Sequence, residues 1–375
     1  MSAGEASGDL YAASLVEVLR RRNPGLDFFG CAGPRMQRAG VQAVVDASSL
    51  AVVGLVEVVI HIPRIWREYR KLLRAAAELR PDIAILTDSP DFHLRLARRL
   101  KKLQIPVIYL VAPQVWAWRQ GRLPAMRRVI DRLLCIFPFE GDFFVSNGID
   151  ATYIGHPLTR LVQPSASRAE LRKRYGAAEG VPIVALLPGS RPGEVARHLP
   201  ILLETADRIS RAARGPTPKI FLAVPPGLNL REPISGSSIQ LLEGQTWDIL
   251  ACSDLALAAS GTVTIEACLL GTPMVTFYCV NKLSWWMGRH FVKVPFYSMV
   301  NLVAGRKIVP EFIQNEMSAR RLAEEALRLL GDEAARREMA REMALVAEKL
   351  SGPEDPMEVA ASVVEKHLKE EMVHA

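Results

Sequence analysis

SDLALAASGTVTIEACLLGTPMV, residues 253–275, is the stretch on which the fold turns. Its pattern predicts a strand over 254–258, a tight turn of small residues at Ala259-Ser260-Gly261-Thr262, and a helix to about residue 270. Gly271-Thr272-Pro273 stops that helix, and a second strand is expected over 274–279. This is one βαβ step of an open α/β sheet, in which ligands sit beyond the carboxyl ends of the strands. Ser260, Gly261 and Thr262 have no bulk to hold off a phosphate, and the dipole of the following helix favours an anion there. Glu266, four residues into that helix, is placed to accept bonds from ribose hydroxyls. The same residues also suit a plain βαβ turn, with Gly261 for the bend and Thr262 as the cap, so the stretch speaks for the fold before it speaks for a ligand.

The region is not a membrane span. Residues 255–280 hold a single charge, Glu266, in 26 positions, but the turn and Gly271-Thr272-Pro273 cut it into pieces too short to cross a bilayer. Two buried parallel strands joined by a short helix read the same way.

A chain of 375 residues with 49% hydrophobic content is expected to form two domains with ample cores. The five cysteines (31, 135, 252, 268 and 279) include no C-x-x-C pair, which argues against a disulfide framework or a zinc knuckle and for a reducing cytoplasm. The polar opening Gly4-Glu5-Ala6-Ser7-Gly8-Asp9 is no signal peptide. Charge is uneven: residues 1–160 carry 22 Lys+Arg against 15 Asp+Glu, whereas residues 161–375 carry 25 of each. The basic half has no nucleic-acid motif, and an anionic membrane surface or a phosphorylated substrate suits it.

Along the chain, GEASGD (4–9) opens a helical pattern, as a ligand loop or as a cap supplied by Ser7 or Asp9. A strand should precede it, and Met1-Ser2-Ala3 is what stands there. Residues 50–73 are apolar, then amphipathic: Ile62, Ile65, Trp66, Tyr69, Leu72 and Leu73 share one helical face, beside Arg64, Arg67, Arg70, Lys71 and Arg74. Packing on the core and lying in a membrane interface both fit that pattern. PDIAILT (81–87) reads as a buried parallel strand delivering DSPDFH (88–93), with a helix over 94–103. Asp88 and Asp91 stand where a general base belongs, and Asp91 also suits a helix cap. A strand over 107–111 leads to VWAWR (115–119), whose tryptophans can fill a core or line a sugar or acyl chain. Strands over 133–137 and 151–154 lead to PFE (138–140) and GHPL (155–158).

The pattern restarts after residue 161. A strand over 183–187 leads to Pro188-Gly189-Ser190-Arg191, where a guanidinium after Gly-Ser suits a diphosphate or a surface ion pair with Glu194. Strands over 220–224 and 239–242 precede the opening stretch, and NLVAGR (301–306) and the segment to Gln314 follow it. The expected domains are 1–160 and 161–352, with a C-terminal helix in 353–375 returning to the first. The fold class is α/β, with two doubly wound, Rossmann-like halves facing a cleft, the GT-B architecture of nucleotide-sugar enzymes.

In order and spacing, GEASGD, DSPDFH, VWAWR, PFE, GHPL, LPGSR (187–191), ASGTVTIE (259–266) and NLVAGR resemble the lipid-A-disaccharide synthases, from Ala3 to about Gln314. The resemblance implies an inverting glycosyltransferase of lipid A assembly. It moves 2,3-diacylglucosamine from UDP to the 6-hydroxyl of 2,3-diacylglucosamine 1-phosphate, with no metal and no cofactor. It also implies Asp91 as general base and Glu5, Ser7 and Trp116 on the acceptor side. Ser190, Arg191 and the Ser260–Gly261–Thr262 turn would hold the diphosphate and Glu266 the ribose, with Asn301 and Gln314 completing the donor site. His93 departs from the family pattern, which often has Asn there. Acylated substrates favour the interfacial reading of residues 50–73. The enzyme would then act at the cytoplasmic face of the inner membrane, without nucleic acid and with a homodimer left open. The rivals are a UDP-sugar 2-epimerase, which shares the fold and the UDP site but needs no acceptor, and a non-catalytic lipid-binding module, which needs no UDP.

Overall fold

The computed structural model describes residues 1–47, 55–213, 215–228, 230, 239–281, 285–286 and 294–374, with side chains described except at 55–62 and 370–374. The chain divides into two compact units, Met1–Pro157 with Leu350–Ala375, and Leu158–Lys349.

In the first unit, parallel strands β1 (Phe29–Ala32) and β2 (Gln42–Asp46) pair with each other. A second parallel set runs β3 (Ala84–Thr87), β4 (Val107–Leu110), β5 (Arg132–Cys135) and β6 (Ala151–Tyr153). Ser2 joins the two sets, bridging Cys31 of β1 on one side and Leu86 of β3 on the other. Its N–H donates to the Ile85 carbonyl at 2.9 Å and its carbonyl accepts from the Thr87 N–H at 3.0 Å. The spatial order is therefore β2-β1-Ser2-β3-β4-β5-β6. Chain order reverses between Ser2 and β3. Their carboxyl ends form a topological switch point, the place in such a sheet where a crevice opens.

The second unit has one six-stranded parallel sheet. It consists of β7 (Ile183–Leu187), β8 (Lys219–Val224), β9 (Ile239–Glu243), β10 (Leu255–Ala259), β11 (Met274–Tyr278) and β12 (Glu311–Ile313), ordered β12-β11-β10-β7-β8-β9. The reversal lies between β7 and β10, which pair with Leu187 opposite Ala258. β7 and β10 are buried at every position because helices cover both faces, hence their unbroken apolar runs.

β1 and β2 lie where the chain has no apolar run. β2 is an edge strand exposed over much of its length, and β1 is only four residues long with Gly30 inside it. The helix expected over 94–103 begins earlier, at Pro90, so Asp91, Phe92 and His93 are helical. The last helix, Pro356–His374, packs on the helix Ala6–Arg22 within the first unit, with Arg21 and Arg22 paired to Glu358 and Arg22 to Glu365 at 3.1 Å. No described helix is long and apolar enough to cross a membrane.

Candidate active site

At the switch point of the first unit, the end of β3 is braced from several directions. Asp88 and Ser89 turn the chain at φ +54° and +37°, left-handed values that side-chain-bearing residues adopt only with support. The support comes from the Asp88 carbonyl, which accepts from His93 Nδ1 at 3.0 Å and from the Tyr109 hydroxyl. A carbonyl can only accept, so Nδ1 of His93 carries the proton and Nε2 accepts from the Ser2 hydroxyl at 2.8 Å. Burial pushes His93 down to about 4, which keeps that neutral arrangement in place.

The Asp88 carboxylate reaches across to the GEASGD loop. It accepts from the Gly4 N–H at 2.9 and 3.1 Å and from the Glu5 N–H at 3.0 Å. Gly8 must be glycine for this approach, because a Cβ there would sit 1.8 Å from Asp88 Oδ2. Burial, then the neighbouring Glu5 charge, push the Asp88 carboxyl up to about 7, against the pull of those N–H donors. Neither Ser7 nor Asp9 caps the helix Ala6–Arg22, whose N-cap is Glu5 and which has no side-chain capping bond. Asp9 instead caps the helix Pro34–Arg38, accepting from Arg35 N–H at 3.0 Å and Met36 N–H at 3.1 Å.

Asp91 is the exposed carboxylate here, not a helix cap. It lies in the first turn of the helix Pro90–Lys102 and is paired with Arg119 at 3.0 Å and with Arg122. Those arginines follow β4, the strand next to β3. The tryptophans of VWAWR divide their work. Trp116 is held by Glu140, its Nε1–H donating to Oε1 at 3.0 Å, with Phe139 edge-on at 4.9 Å. Trp118 is exposed under the Arg119 guanidinium. Glu140 is fully buried and also accepts from the Ile136 and Phe137 N–H groups at 3.2 Å; burial raises its carboxyl to about 7. Glu5 and Ser7 are partly exposed.

In the second unit the corresponding ends are open backbone. After β7, Gly189 turns at φ +115°, packed so closely on Glu194 that a Cβ would lie 2.8 Å from its carboxylate. Arg191 is the N-cap of the helix Pro192–Ala212, which has no side-chain cap, and its guanidinium meets Glu194 at 3.2 Å. Glu194 also accepts from the Tyr278 hydroxyl at 2.9 Å. His198 ties the ends of β7 and β11 together, donating to the Pro188 carbonyl at 2.7 Å and accepting from the Cys279 N–H at 3.2 Å. After β10, Gly261 is the N-cap of the helix Thr262–Leu269, again with no side-chain cap; Thr262 does not serve as one. Ser190, Gly261 and Thr262 are exposed. Ser260 donates to the Tyr297 carbonyl at 2.8 Å, and Glu266 is partly exposed inside its helix. Two helix N-termini without side-chain caps at adjacent strand ends, with the Arg191 guanidinium at the first of them, suit an anion with more than one charge.

Two expected donor contacts are spent internally. Asn301 is fully buried, and its amide donates to the Val309 carbonyl at 2.9 Å and to Glu311 at 2.8 Å. Its carbonyl oxygen accepts from the Ile308 and Val309 N–H groups at 2.7 and 3.0 Å. All four bonding positions are filled, so Asn301 shapes the turn and does not reach outward. Gln314, at φ +53°, clamps the Val280 backbone through both ends of its amide, at 2.7 and 3.1 Å. Sequence reading passed over Arg122, His198 and Tyr278. Arg122 had a signal, three residues after Arg119 and so on the same side of a helical turn. The aromatic segment 283–296 lies largely outside the described residues.

The sequence model of the lipid-A-disaccharide synthetase family matches residues 1–361. The lipid-A-disaccharide synthase of Solibacter usitatus is 56% identical over 374 residues, covering 100% of this chain and 98% of the relative. That of Myxococcus xanthus is 43% identical, covering 97% and 96%. Among solved structures, MurG of Acinetobacter baumannii superposes with a TM-score of 0.57 at 15% identity, covering 98% of each chain. UDP-GlcNAc 2-epimerase from Neisseria meningitidis, bound to UDP-GlcNAc, does so at 0.60 and 13%, covering 96% of each. At such identities the structures speak for the fold, an α/β GT-B pair of Rossmann-like units, and not for a choice between transferase and epimerase. The sequence relatives make that choice, and the chain belongs to the lipid-A-disaccharide synthase family of glycosyltransferases.

Proposed function

We propose that this chain transfers 2,3-diacylglucosamine from UDP to the 6-hydroxyl of 2,3-diacylglucosamine 1-phosphate, with inversion, giving a β-1,6 disaccharide and UDP. The observation that carries the reading is the pairing of β7 with β10, which sets Arg191 and the Gly261–Thr262 helix start at neighbouring strand ends. N–H groups and a guanidinium so placed stabilise the charge that develops on the departing UDP without a metal. Ser190, Ser260 and Glu266 line the same edge, with Glu266 toward the ribose; Asn301 and Gln314 hold the surrounding turns. In the first unit, Asp91 takes the proton of the attacking hydroxyl as the bond from sugar to diphosphate breaks. Glu5, Ser7 and Trp116 flank the acceptor.

The acyl chains place this chemistry at the cytoplasmic face of a membrane. What supports a surface there is the helix Leu55–Leu79. It buries Tyr69 and Leu72 in the core while Trp66 stands exposed beside Arg64, Arg67, Arg70, Lys71 and Arg74. A single assay tests both parts. With the two acylated substrates on anionic vesicles, Asp91→Ala is expected to lower kcat by about 10²–10⁴-fold while leaving UDP binding intact. Replacing Arg67, Arg70 and Lys71 by Gln is expected to loosen vesicle association. Equal turnover by Asp91→Ala would remove the base, and unchanged vesicle binding would remove the surface.

A further inference from the structure

Asp91 is 67% exposed, yet its oxygens are engaged. Arg119 Nη1 donates to both of them, at 3.2 and 3.0 Å, and Arg122 Nη2 donates to Oδ1. The Arg122 N–H bonds the Arg119 carbonyl at 3.0 Å, so one tight turn presents both guanidiniums on one side. The Arg119 guanidinium lies 4.0 Å over the Trp118 ring, which fixes its plane. A carboxylate offers about four lone-pair positions, and three are taken here. A hydroxyl about to lose its proton must come within about 2.6–3.2 Å of one of those oxygens. Ion pairs this exposed are worth only about 0–1 kcal/mol each, so they yield to a better anion. A phosphate monoester, with up to two charges and three oxygens, is such an anion, and two converging guanidiniums match its geometry.

We propose that Arg119 and Arg122 form the site for the phosphate of the acceptor sugar, and that its arrival draws both guanidiniums off Asp91. This rests on the acceptor assigned above. The freed carboxylate then accepts the hydroxyl proton, the hydroxyl oxygen bonds to the donor's anomeric carbon, and the electron pair of the broken bond leaves on UDP. The acceptor phosphate thus acts in turnover as well as in binding. Arg119 and Arg122 determine specificity for it.

The test compares 2,3-diacylglucosamine 1-phosphate with the same sugar lacking phosphate, using the full chain and its Arg119→Gln/Arg122→Gln double variant. The parent is expected to lose about a hundredfold in kcat on the phosphate-free acceptor, the effect of charge-assisted bonds lost in the reacting complex. In the double variant the preference between acceptors should collapse while UDP affinity stays at the parent value. A double variant that keeps the parent's preference overturns the proposal, as does a parent whose preference resides in KM alone. Should the double variant fail to fold, seen as lost UDP binding, the two single variants and the parent's split between kcat and KM decide. A parent that turns over neither acceptor sinks the reaction itself; one that uses both equally sinks only the arginine site.

Discussion

At the end of β3 the chain turns through Asp88 and Ser89 at φ +54° and +37°; at the end of β7 it turns through Gly189 at φ +115°. The first turn is forced on residues that resist it and is braced by His93, Tyr109 and Ser2. The second uses the residue with no side chain to resist. The contrast extends outward. The first unit surrounds its strand ends with the buried Glu140, His93 and His156 and with Asp88, whose side chain is only 11% exposed, each tied into the surrounding packing. The second leaves Ser190, Gly261 and Thr262 exposed at its strand ends. A diphosphate asks for N–H groups and room, which backbone supplies whatever the side chains are. A proton transfer asks for one carboxylate at one place, which needs a framework of side chains.

Arg191 offers the hardest blow to this contrast. Removing one preorganised cation from a departing diphosphate should lower kcat/KM for the donor by about 10²–10³-fold in Arg191→Ala, with the acceptor KM unchanged. UDP affinity equal to the parent's would take the guanidinium off the diphosphate and leave the second unit with backbone alone.

Paired glycine substitutions sharpen it. In Gly8→Ala the new methyl meets Asp88 Oδ2, at 1.8 Å before any shift, and should cost about 1–3 kcal/mol of stability. In Gly261→Ala nothing lies within 4 Å and the backbone is extended, so thermal stability should move by no more than about 0.5 kcal/mol. Equal losses in thermal unfolding would erase the difference between a side-chain-built and a backbone-built strand end.

The smallest effect concerns pH. His156 is buried between Tyr11 and Phe137, and burial alone holds it down to about 3 against its ordinary 6.5. Its contribution to stability is complete above 6.5 and is lost as pH falls from there toward 3, because the unfolded chain takes up the proton first. His156→Phe has no such proton to accept. It should be less stable than the parent by about 1 kcal/mol at pH 7, with the gap closing as pH falls below 6.5. A gap that stays constant between pH 7 and pH 4 would mean that His156 is not held neutral.

Much of the fold was legible in residue order. The run Ile183–Leu187 was placed to the residue, and the strand–turn–helix of 253–275 to within one position at each end, because strands buried on both faces are written as unbroken apolar runs. β1 and β2 were silent, since a short strand with glycine and an exposed edge strand carry no such run. At the candidate site, Asp91 and Arg191 were visible from their place after a strand. The saturation of Asn301 was not, because it depends on Ile308, Val309 and Glu311 folding back on it.

Local pattern, then, determined the kind of unit, the places where it breaks for chemistry, and the family, for these depend on neighbours along the chain. Tertiary structure decided which carboxylate is tucked against backbone and which is exposed, and which guanidiniums Asp91 meets. Asp88 and Asp91 stand three positions apart in sequence; the turn between them sends one under the Gly4–Glu5 backbone and the other outward to Arg119 and Arg122. Desolvation and pairing depend on what the fold brings near, and spacing in the chain does not contain that.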